Sequence, residues 1–324
     1  MNFQDLKKIE NDKFYLDVAF KRAKSKSDEL RNKIKDKDRL RKSKTLEIAK
    51  LEIINSVLAE KLNQITTAFP SLDQLDIFYL ELIKCTLDYK DLKKSLGSVK
   101  WAVDKIRDLF KQYRSKIQRA ADFKYVNKLR REYYGRVSSV LKQIKKFLNY
   151  LEESRKTMKG FPAIKTSMFT VCITGFPNAG KSTLLKKMTS ASPEINSYAF
   201  TTKKLNLGYI KTPKFKIQVI DTPGTLNRQD KMNYIELQAY LAVKHLANLI
   251  VYVFDPSLEY SLDKQERLLK RIEKYEKPIL IYLSKQDIAD KDIINKIKEK
   301  HKILEYDELN KELLKKAESM IKAL

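Results

Sequence analysis

Two domains of different class are predicted by this sequence. Residues 1–165 read as an antiparallel helical bundle, and residues 166–324 as an α/β layer with a mostly parallel sheet. Three observations carry this. The first half is nearly free of Gly and Pro and repeats apolar residues at helical spacing. The second half alternates short apolar runs with amphipathic stretches. Near its start, Gly175-Phe176-Pro177-Asn178-Ala179-Gly180-Lys181-Ser182 fits G-x-x-x-x-G-K-[ST], a loop that cradles phosphate between a strand and a helix.

From Phe14 to about Thr67 there is neither Gly nor Pro, which predicts one long helix or a helix pair. Its first part is dense in cations: Lys21, Arg22, Lys24, Arg31, Lys35, Arg39, Arg41 and Lys42. Asp28, Glu29, Asp36 and Asp38 are placed to pair with some of them. Its second part carries Leu51, Ile54, Leu58, Leu62 and Ile65, the stripe of a helix facing a core. Pro70 breaks the run, and Leu75, Phe78, Tyr79, Leu82 and Ile83 then share one face. Helices follow at about Tyr89–Arg119 and Asp122–Lys159, ended by Gly160-Phe161-Pro162. Aromatic residues such as Phe78, Tyr79, Trp101, Tyr133 and Tyr134 are read as core rather than as platforms for bases.

In the second half, strands are predicted at Phe169–Thr174, Leu205–Ile210, Lys216–Asp221, Leu249–Phe254 and Ile279–Leu283, with a weak last one at Lys302–Glu305. Helices fall at about Lys181–Thr189, Met232–Lys244, Leu262–Tyr275, Lys291–Lys300 and Leu309–Ala323. The strands flanking Lys211–Lys214 are close enough for a hairpin.

The motifs lie where strands end. Phe176, Pro177, Asn178, Ala179, Gly180, Lys181, Ser182 and Thr183 form the phosphate loop and the start of its helix, whose N–H groups suit an anion. Asp221-Thr222-Pro223-Gly224 follows the third strand. A carboxylate there suits Mg²⁺ held through water, and the Gly224 N–H suits a γ-phosphate. Thr202, in Tyr198-Ala199-Phe200-Thr201-Thr202-Lys203, can complete a Mg²⁺ shell only while a γ-phosphate is present, which makes it a sensor. After the fifth strand stands Ser284-Lys285-Gln286-Asp287. The Asp287 carboxylate accepts from guanine N1 and N2, a pattern that adenine does not present, so the nucleotide expected is GTP.

The formal net charge is +26, of which residues 1–165 supply +18, so a polyanion is expected to meet the first half. The helical rod of cations is therefore read as an RNA-contacting face. Two Cys exclude a disulfide framework, and both Cys85 and Cys172 are read as reduced and buried. Two His exclude a Cys/His metal cluster. No apolar run has the length to span a bilayer, and the N-terminus is too charged for a signal peptide, so a cytoplasmic monomer is expected.

These motifs resemble those of the Obg-related GTPases, and in particular the nucleolar GTP-binding protein family. Gln218–Gly224 with Ile235-Glu236-Leu237-Gln238-Ala239 resembles that family's second switch, and Tyr198–Lys203 its first. Phe69-Pro70-Ser71-Leu72-Asp73 with Phe78-Tyr79-Leu80-Glu81-Leu82 resembles its helical N-terminal domain. The likeness runs over about residues 55–290, in a compact, archaeal-type form without the long C-terminal extension of eukaryotic members. It implies a bundle followed by a Ras-like P-loop GTPase domain, and a role on immature large-subunit rRNA and the pre-ribosomal particle. It also implies that Lys181 contacts the β- and γ-phosphates, that Ser182 and Thr202 ligate Mg²⁺, that Asp221 holds it through water, and that Lys285 packs over the base. Lys181, Thr202 and Gly224 are then the catalytic set. Asn178 resembles the position that binds K⁺ in related GTPases, where a cation supplies charge otherwise given by an arginine finger.

Two departures qualify this picture. Ser284 stands where such GTPases usually have Asn, which weakens one contact by about 1 kcal/mol. The last base-binding motif is not legible near Glu305-Tyr306. Thr225 and Leu226 follow Gly224 with no Gln to orient water, so hydrolysis is expected to be slow. A second reading stays open: a non-hydrolysing RNA-binding assembly factor with a weakened nucleotide site.

Overall fold

The structure is a computed structural model, and it describes residues 3–34, 38–189, 206–222, 234–257 and 259–322. Two compact units emerge. One comprises Phe3–Leu75 and Ile83–Lys159, and the other Asp76–Leu82 and Gly160–Leu324.

The first unit is helical. The Gly- and Pro-free run forms a pair, α1 (Asp12–Lys33) and α2 (Arg39–Ala68). Asn11 caps α1 by accepting from the Phe14 N–H, and Asp38 caps α2 by accepting from the Leu40 and Arg41 N–H groups. Pro70 follows α2 and precedes a 3-10 turn at Leu72–Gln74. The unit then continues through the end of α3 (Ile77–Thr86) into α4 (Tyr89–Arg119) and α5 (Phe123–Lys159). Leu51, Ile54, Leu58 and Leu62 of α2 are fully buried, as are Val99 and Ile106 of α4 and Tyr133 and Val137 of α5. Each set recurs at helical spacing, so burial of these stripes is what holds the bundle. The first residues join it too: Phe3, Leu6 and Ile9 are buried. Glu152 on α5 accepts from the Ile9 N–H at 2.9 Å while both its oxygens receive Arg155 at 2.7 Å.

Two aromatic and thiol expectations are corrected. Trp101 is 44% exposed. The α4 stripe runs Val99, Ala102, Val103, Ile106, which turns position 101 outward. Cys85 is exposed while Cys172 is buried. The inward face of α3 is set by Phe78, Tyr79, Leu82 and Ile83, and Cys85 falls off it.

The second unit is a six-stranded sheet in the order β2-β3-β1-β4-β5-β6. Its strands are β1 (Thr170–Thr174), β2 (Asn206–Lys211), β3 (Lys216–Asp221), β4 (Leu249–Phe254), β5 (Ile279–Leu283) and β6 (Ile303–Leu304). Among the described residues only β2–β3 is antiparallel, and it is the expected hairpin. The four remaining pairings are parallel. The helices are α6 (Lys181–Met188), α7 (Tyr234–His245), α8 (Leu262–Glu273), α9 (Lys291–Lys300) and α10 (Tyr306–Lys322). Every residue of β1 and β4 is buried, as expected for strands covered on both faces. The start of α3 belongs to this unit. The Tyr79 hydroxyl donates to the Pro162 and Ile164 carbonyls at 2.8 and 3.1 Å and accepts from the Ile164 N–H at 3.0 Å. No described helix is long and apolar enough to cross a membrane.

Candidate nucleotide site

The chain leaves β1 with β3 on one side and β4 on the other. The next strand in sequence, β2, lies beyond β3, and the chain later returns across β1 to β4. Strand order therefore reverses at β1, and crevices that take ligands open at such a point beyond the carboxyl ends of parallel strands. Gly175–Ser182 occupies it.

Backbone geometry fixes the two loop glycines. Gly175 has φ +147°, and a Cβ there would stand 2.6 Å from the Val253 carbonyl oxygen. Gly180 has φ +81°, and its Cβ would stand 3.2 Å from Ser284 Cβ. Neither place accepts a larger residue without strain. Asn178 adopts φ 59°, a left-handed conformation that Asn tolerates better than most residues. Gly180 is the N-cap of α6 and brings no side chain to cap it, so the first N–H groups of α6 face the loop.

The side chains then converge. Lys181 is buried, and its Nζ donates to the Phe176 carbonyl at 2.6 Å. Burial pushes its pKa down, and the Asp221 carboxylate opposes that shift. Ser182 Oγ donates to Asp221 Oδ2 at 2.5 Å, and Asn206 Nδ2 donates to the same oxygen at 3.0 Å. Thr222 locks the end of β3 onto β1, its hydroxyl and N–H both donating to the Ile173 carbonyl. Among the described residues no group of three His, Cys, Asp or Glu could hold a metal unaided. The hard oxygens of Ser182 and Asp221 fit a cation that completes its shell with water and phosphate, the habit of Mg²⁺.

On the far side of the loop, Ser284 is buried, donates to the Phe254 carbonyl at 3.0 Å and lies against Gly180. Lys285 has φ 49° and donates to Asp255 Oδ2 at 2.6 Å. Asp287 is exposed at the same loop. Gln286 reaches Glu305, just past β6, at 3.2 Å. Phe176 stacks on Tyr260 with ring centroids 4.6 Å apart, Asn178 Nδ2 donates to Glu259 at 2.6 Å, Pro177 is half-buried, Ala179 is buried and Thr183 is exposed. Thr202 and Gly224 lie outside the described residues, as does Lys35 of the basic run. Lys21, Arg22, Lys24, Arg31, Arg39 and Arg41 are exposed, and Lys42 is half-buried.

Three residues of this neighbourhood escaped the sequence reading. Asp255 is almost wholly buried (1% exposed) just after β4. Burial pushes its pKa up, but Lys285 and the Ser257 hydroxyl and N–H outweigh that and hold it below the ordinary value. Gln265 of α8 is fully buried. It accepts from the Asp255 N–H at 2.9 Å and donates to the Asp255 and Tyr260 carbonyls at 2.8 Å each. Glu259 is the third. The only sequence signal was a buried-strand run ending in Asp-Pro.

A mostly parallel sheet with a phosphate loop at its reversal point, an Asp paired to the loop Ser, and a Lys-x-Asp loop beside it define a P-loop GTPase fold, here accompanied by a helical bundle. Comparison with known proteins agrees. Residues 3–165 match the NOG1 N-terminal helical domain, and residues 170–285 match the 50S ribosome-binding GTPase family. The chain belongs to the nucleolar GTP-binding protein 1 family. It is 40% identical to an uncharacterised protein of Methanocaldococcus jannaschii over 85% of this chain and 77% of that one. It is 32% identical to nucleolar GTP-binding protein 1 of Arabidopsis thaliana over 98% of this chain, and 35% identical to that of Caenorhabditis elegans over 74%. Those matches span 47% and 36% of the eukaryotic proteins, so the chain covers less than half of their length. A crystal structure of a Plasmodium falciparum protein titled as a nucleolar GTP-binding protein 1 is 28% identical, covering 44% of this chain and 77% of that chain, with a TM-score of 0.35.

Proposed function

We propose that this chain is a GTP-hydrolysing switch that binds large-subunit rRNA through its basic helices and acts in assembly of that subunit. The observation that carries the nucleotide half is the convergence of Lys181, Ser182, Asp221 and Lys285 around Gly175–Gly180. In this reading the N–H groups of Asn178–Thr183 and the Lys181 ammonium hold the β- and γ-phosphates. Lys181 would exchange the Phe176 carbonyl for a phosphate oxygen, and that anion would raise its pKa again. Ser182, Thr202 and Asp221 would hold Mg²⁺, which neutralises charge on the phosphates. Thr202 and Gly224 report the γ-phosphate. Asp287 reads guanine, and Lys285, its ammonium held by Asp255, packs its carbon stem over the base.

The basic first half supports the RNA half of the reading, because each cation that neutralises a phosphate releases a counterion. Hydrolysis would release the RNA contact. The expected protein is a cytoplasmic monomer. Measuring GTP turnover with Lys181→Ala as control tests the enzyme, and sequencing RNA crosslinked in cells tests the partner. Recovery without large-subunit rRNA would overturn the assignment. K⁺ at Asn178 is tested by turnover in K⁺ against Na⁺ buffer, where equal rates remove the cation from the mechanism.

One observation favours the second reading of a non-hydrolysing RNA-binding factor. Ser284 has no side-chain amide to offer base or loop, and its hydroxyl is already engaged with the Phe254 carbonyl. Ser284→Asn is then expected to tighten GTP about five-fold, the equivalent of one net hydrogen bond near 1 kcal/mol. Wild-type turnover no faster than Lys181→Ala would establish the non-hydrolysing reading.

A further inference from the structure

The helix α1 buries a stripe at every fourth residue: Tyr15, Ala19, Ala23 and Ser27. The stripe ends in a polar residue, and the next position on it is Arg31. At this end the three helices α1, α2 and α5 line a cavity of about 370 Å³ that opens to solvent. Phe20, Lys24, Ser27, Asp28 and Arg31 line it from α1, Lys50 from α2 and Tyr134 from α5. That volume lies at the lower end of small-ligand pockets, roughly 300–1,000 Å³.

Its lining joins one buried hydroxyl to exposed charges and two rings. Ser27 is 2% exposed, and its hydroxyl has no hydrogen-bond partner among the described residues. Hydroxyls elsewhere in this bundle turn back onto their own helix: Thr45 onto Arg41, Ser98 onto Lys94 and Ser154 onto Tyr150. Ser27 makes no such bond, and leaving a buried hydroxyl unpaired costs about 1–3 kcal/mol. Lys24 and Arg31 enter no ion pair among the described residues, although Asp28 lies between them on the same face. Lys50 is tied to Glu47 at 2.9 Å. Glu47 in turn receives Arg130 at 3.3 Å, so the back of the cavity is braced by two cations on one carboxylate. The remaining wall is aromatic: the Phe20 and Tyr134 rings stand 5.0 Å apart and tilted by 39°. Burial first, and then the nearby Glu47 charge, push the Tyr134 pKa up to about 12, so its hydroxyl remains a donor at neutral pH.

We propose that this cavity seats one unpaired nucleotide of the RNA that the bundle contacts, the phosphate on Lys24 and Arg31 with the Ser27 hydroxyl, and the base against Tyr134. A duplex presents no splayed base, and proteins read unpaired nucleotides by stacking them on aromatic rings. Asp28 gives such a nucleotide an acceptor for a 2′-hydroxyl or an exocyclic amine. The inference rests on the RNA reading above, but it adds a place and a preference that a basic helix surface does not have.

The test compares the full chain on a perfectly paired RNA and on the same RNA with a single-nucleotide bulge. The wild type is expected to favour the bulge by about ten-fold, the size of one base–aromatic stack. Tyr134→Leu and the double change Lys24→Gln with Arg31→Gln are each expected to reduce that preference to below about two-fold. Both cations are exposed, so the double variant keeps the fold even if the α5 variant does not. Lys21→Gln, outside the cavity, is expected to weaken both RNAs equally. A 2-aminopurine placed in the bulge should lose fluorescence on wild-type protein and not on Tyr134→Leu. Equal affinity for the two RNAs, or a bulge preference untouched by both variants, would overturn the cavity assignment while leaving the RNA-binding bundle standing. Absence of binding to either RNA at low salt would instead remove the RNA reading itself. A free mononucleotide that quenches on the protein as the bulge does, with no bulge preference, would assign the cavity to a small ligand and overturn the RNA seat.

Discussion

The helical unit and the sheet unit use their polar groups in opposite ways. In the helical unit several exposed hydroxyls and charges bond within one turn of their own helix, as Thr45, Ser98 and the Lys26–Glu29 pair show. In the sheet unit the decisive polar groups are buried and bond across elements, as Gln265, Asp255, Thr222 and Gln218 show. The lesson is about separability. Surface charge in the bundle is independent of its stability, whereas around the phosphate loop some of the groups that hold the fold, Thr222 and Asp255 among them, also border the site.

The sharpest break between the two should come at Lys181. Lys181→Ala is expected to lower GTP turnover by about 10²–10³, as loss of a charge-stabilising donor does. Its melting temperature should change little, since the lost partner is one carbonyl of the same loop.

Glycine replacements in the two units should move stability in opposite directions. Gly175→Ala sets a Cβ against the Val253 carbonyl in a strained backbone and is expected to destabilise by about 3 kcal/mol in urea denaturation. Gly135→Ala, in the exposed middle of α5 with nothing within 4 Å of the new carbon, is expected to stabilise by about 0.5–1 kcal/mol. The same sign for both would erase the contrast.

Acid titration sharpens it further. The folded pKa of Asp255 is lowered, so its contribution is fully present above the unfolded pKa of about 4 and is lost as pH falls through the lower folded value. Glu152 in the bundle behaves alike: burial raises its pKa, but Arg155 and the Ile9 N–H outweigh it. Asp255→Asn should cost about 1.5–3 kcal/mol at pH 7 and flatten the loss of stability below pH 4. A slope unchanged in that variant would show that Asp255 does not carry the acid sensitivity.

The smallest expected effect lies on the bundle surface. Lys21→Gln should leave stability within about 0.5 kcal/mol of wild type. The same change should shallow the slope of log affinity for RNA against log salt by about 0.7–0.9.

Much of the fold was legible because it is periodic. The α4 limits, Tyr89–Arg119, and the β3 limits, Lys216–Asp221, could be read directly from stripes and runs. The phosphate loop was legible because its chemistry demands Gly at two fixed places. The break between α1 and α2 was harder to see. No Gly or Pro marks it, and its signal is one capping side chain, Asp38. The start of α10 at Tyr306 lies three residues ahead of the expected Leu309, since its first turn is charged and its apolar stripe begins only there. The Asp255–Gln265 clamp was invisible for a different reason. It is built from hydrogen bonds between a loop and the buried face of a helix, and no spacing rule links the two. Ser27 was overlooked because a single serine in a lysine-rich helix carries no sign of being buried.

The placement of α3 has a practical consequence for anyone wishing to take the protein apart. Asp76–Leu82 supply Phe78 and Tyr79 to the unit that otherwise begins at Gly160. A fragment cut from residue 166 onward would lack these buried rings, together with the Pro162 and Ile164 carbonyls that Tyr79 engages. Its hydrophobic face would lie open to solvent and invite aggregation. A low refolding yield from such a fragment would reflect where it was cut rather than weakness of the GTPase fold, and a fragment begun at Gly160 and supplied with residues 76–82 as a separate peptide should refold better.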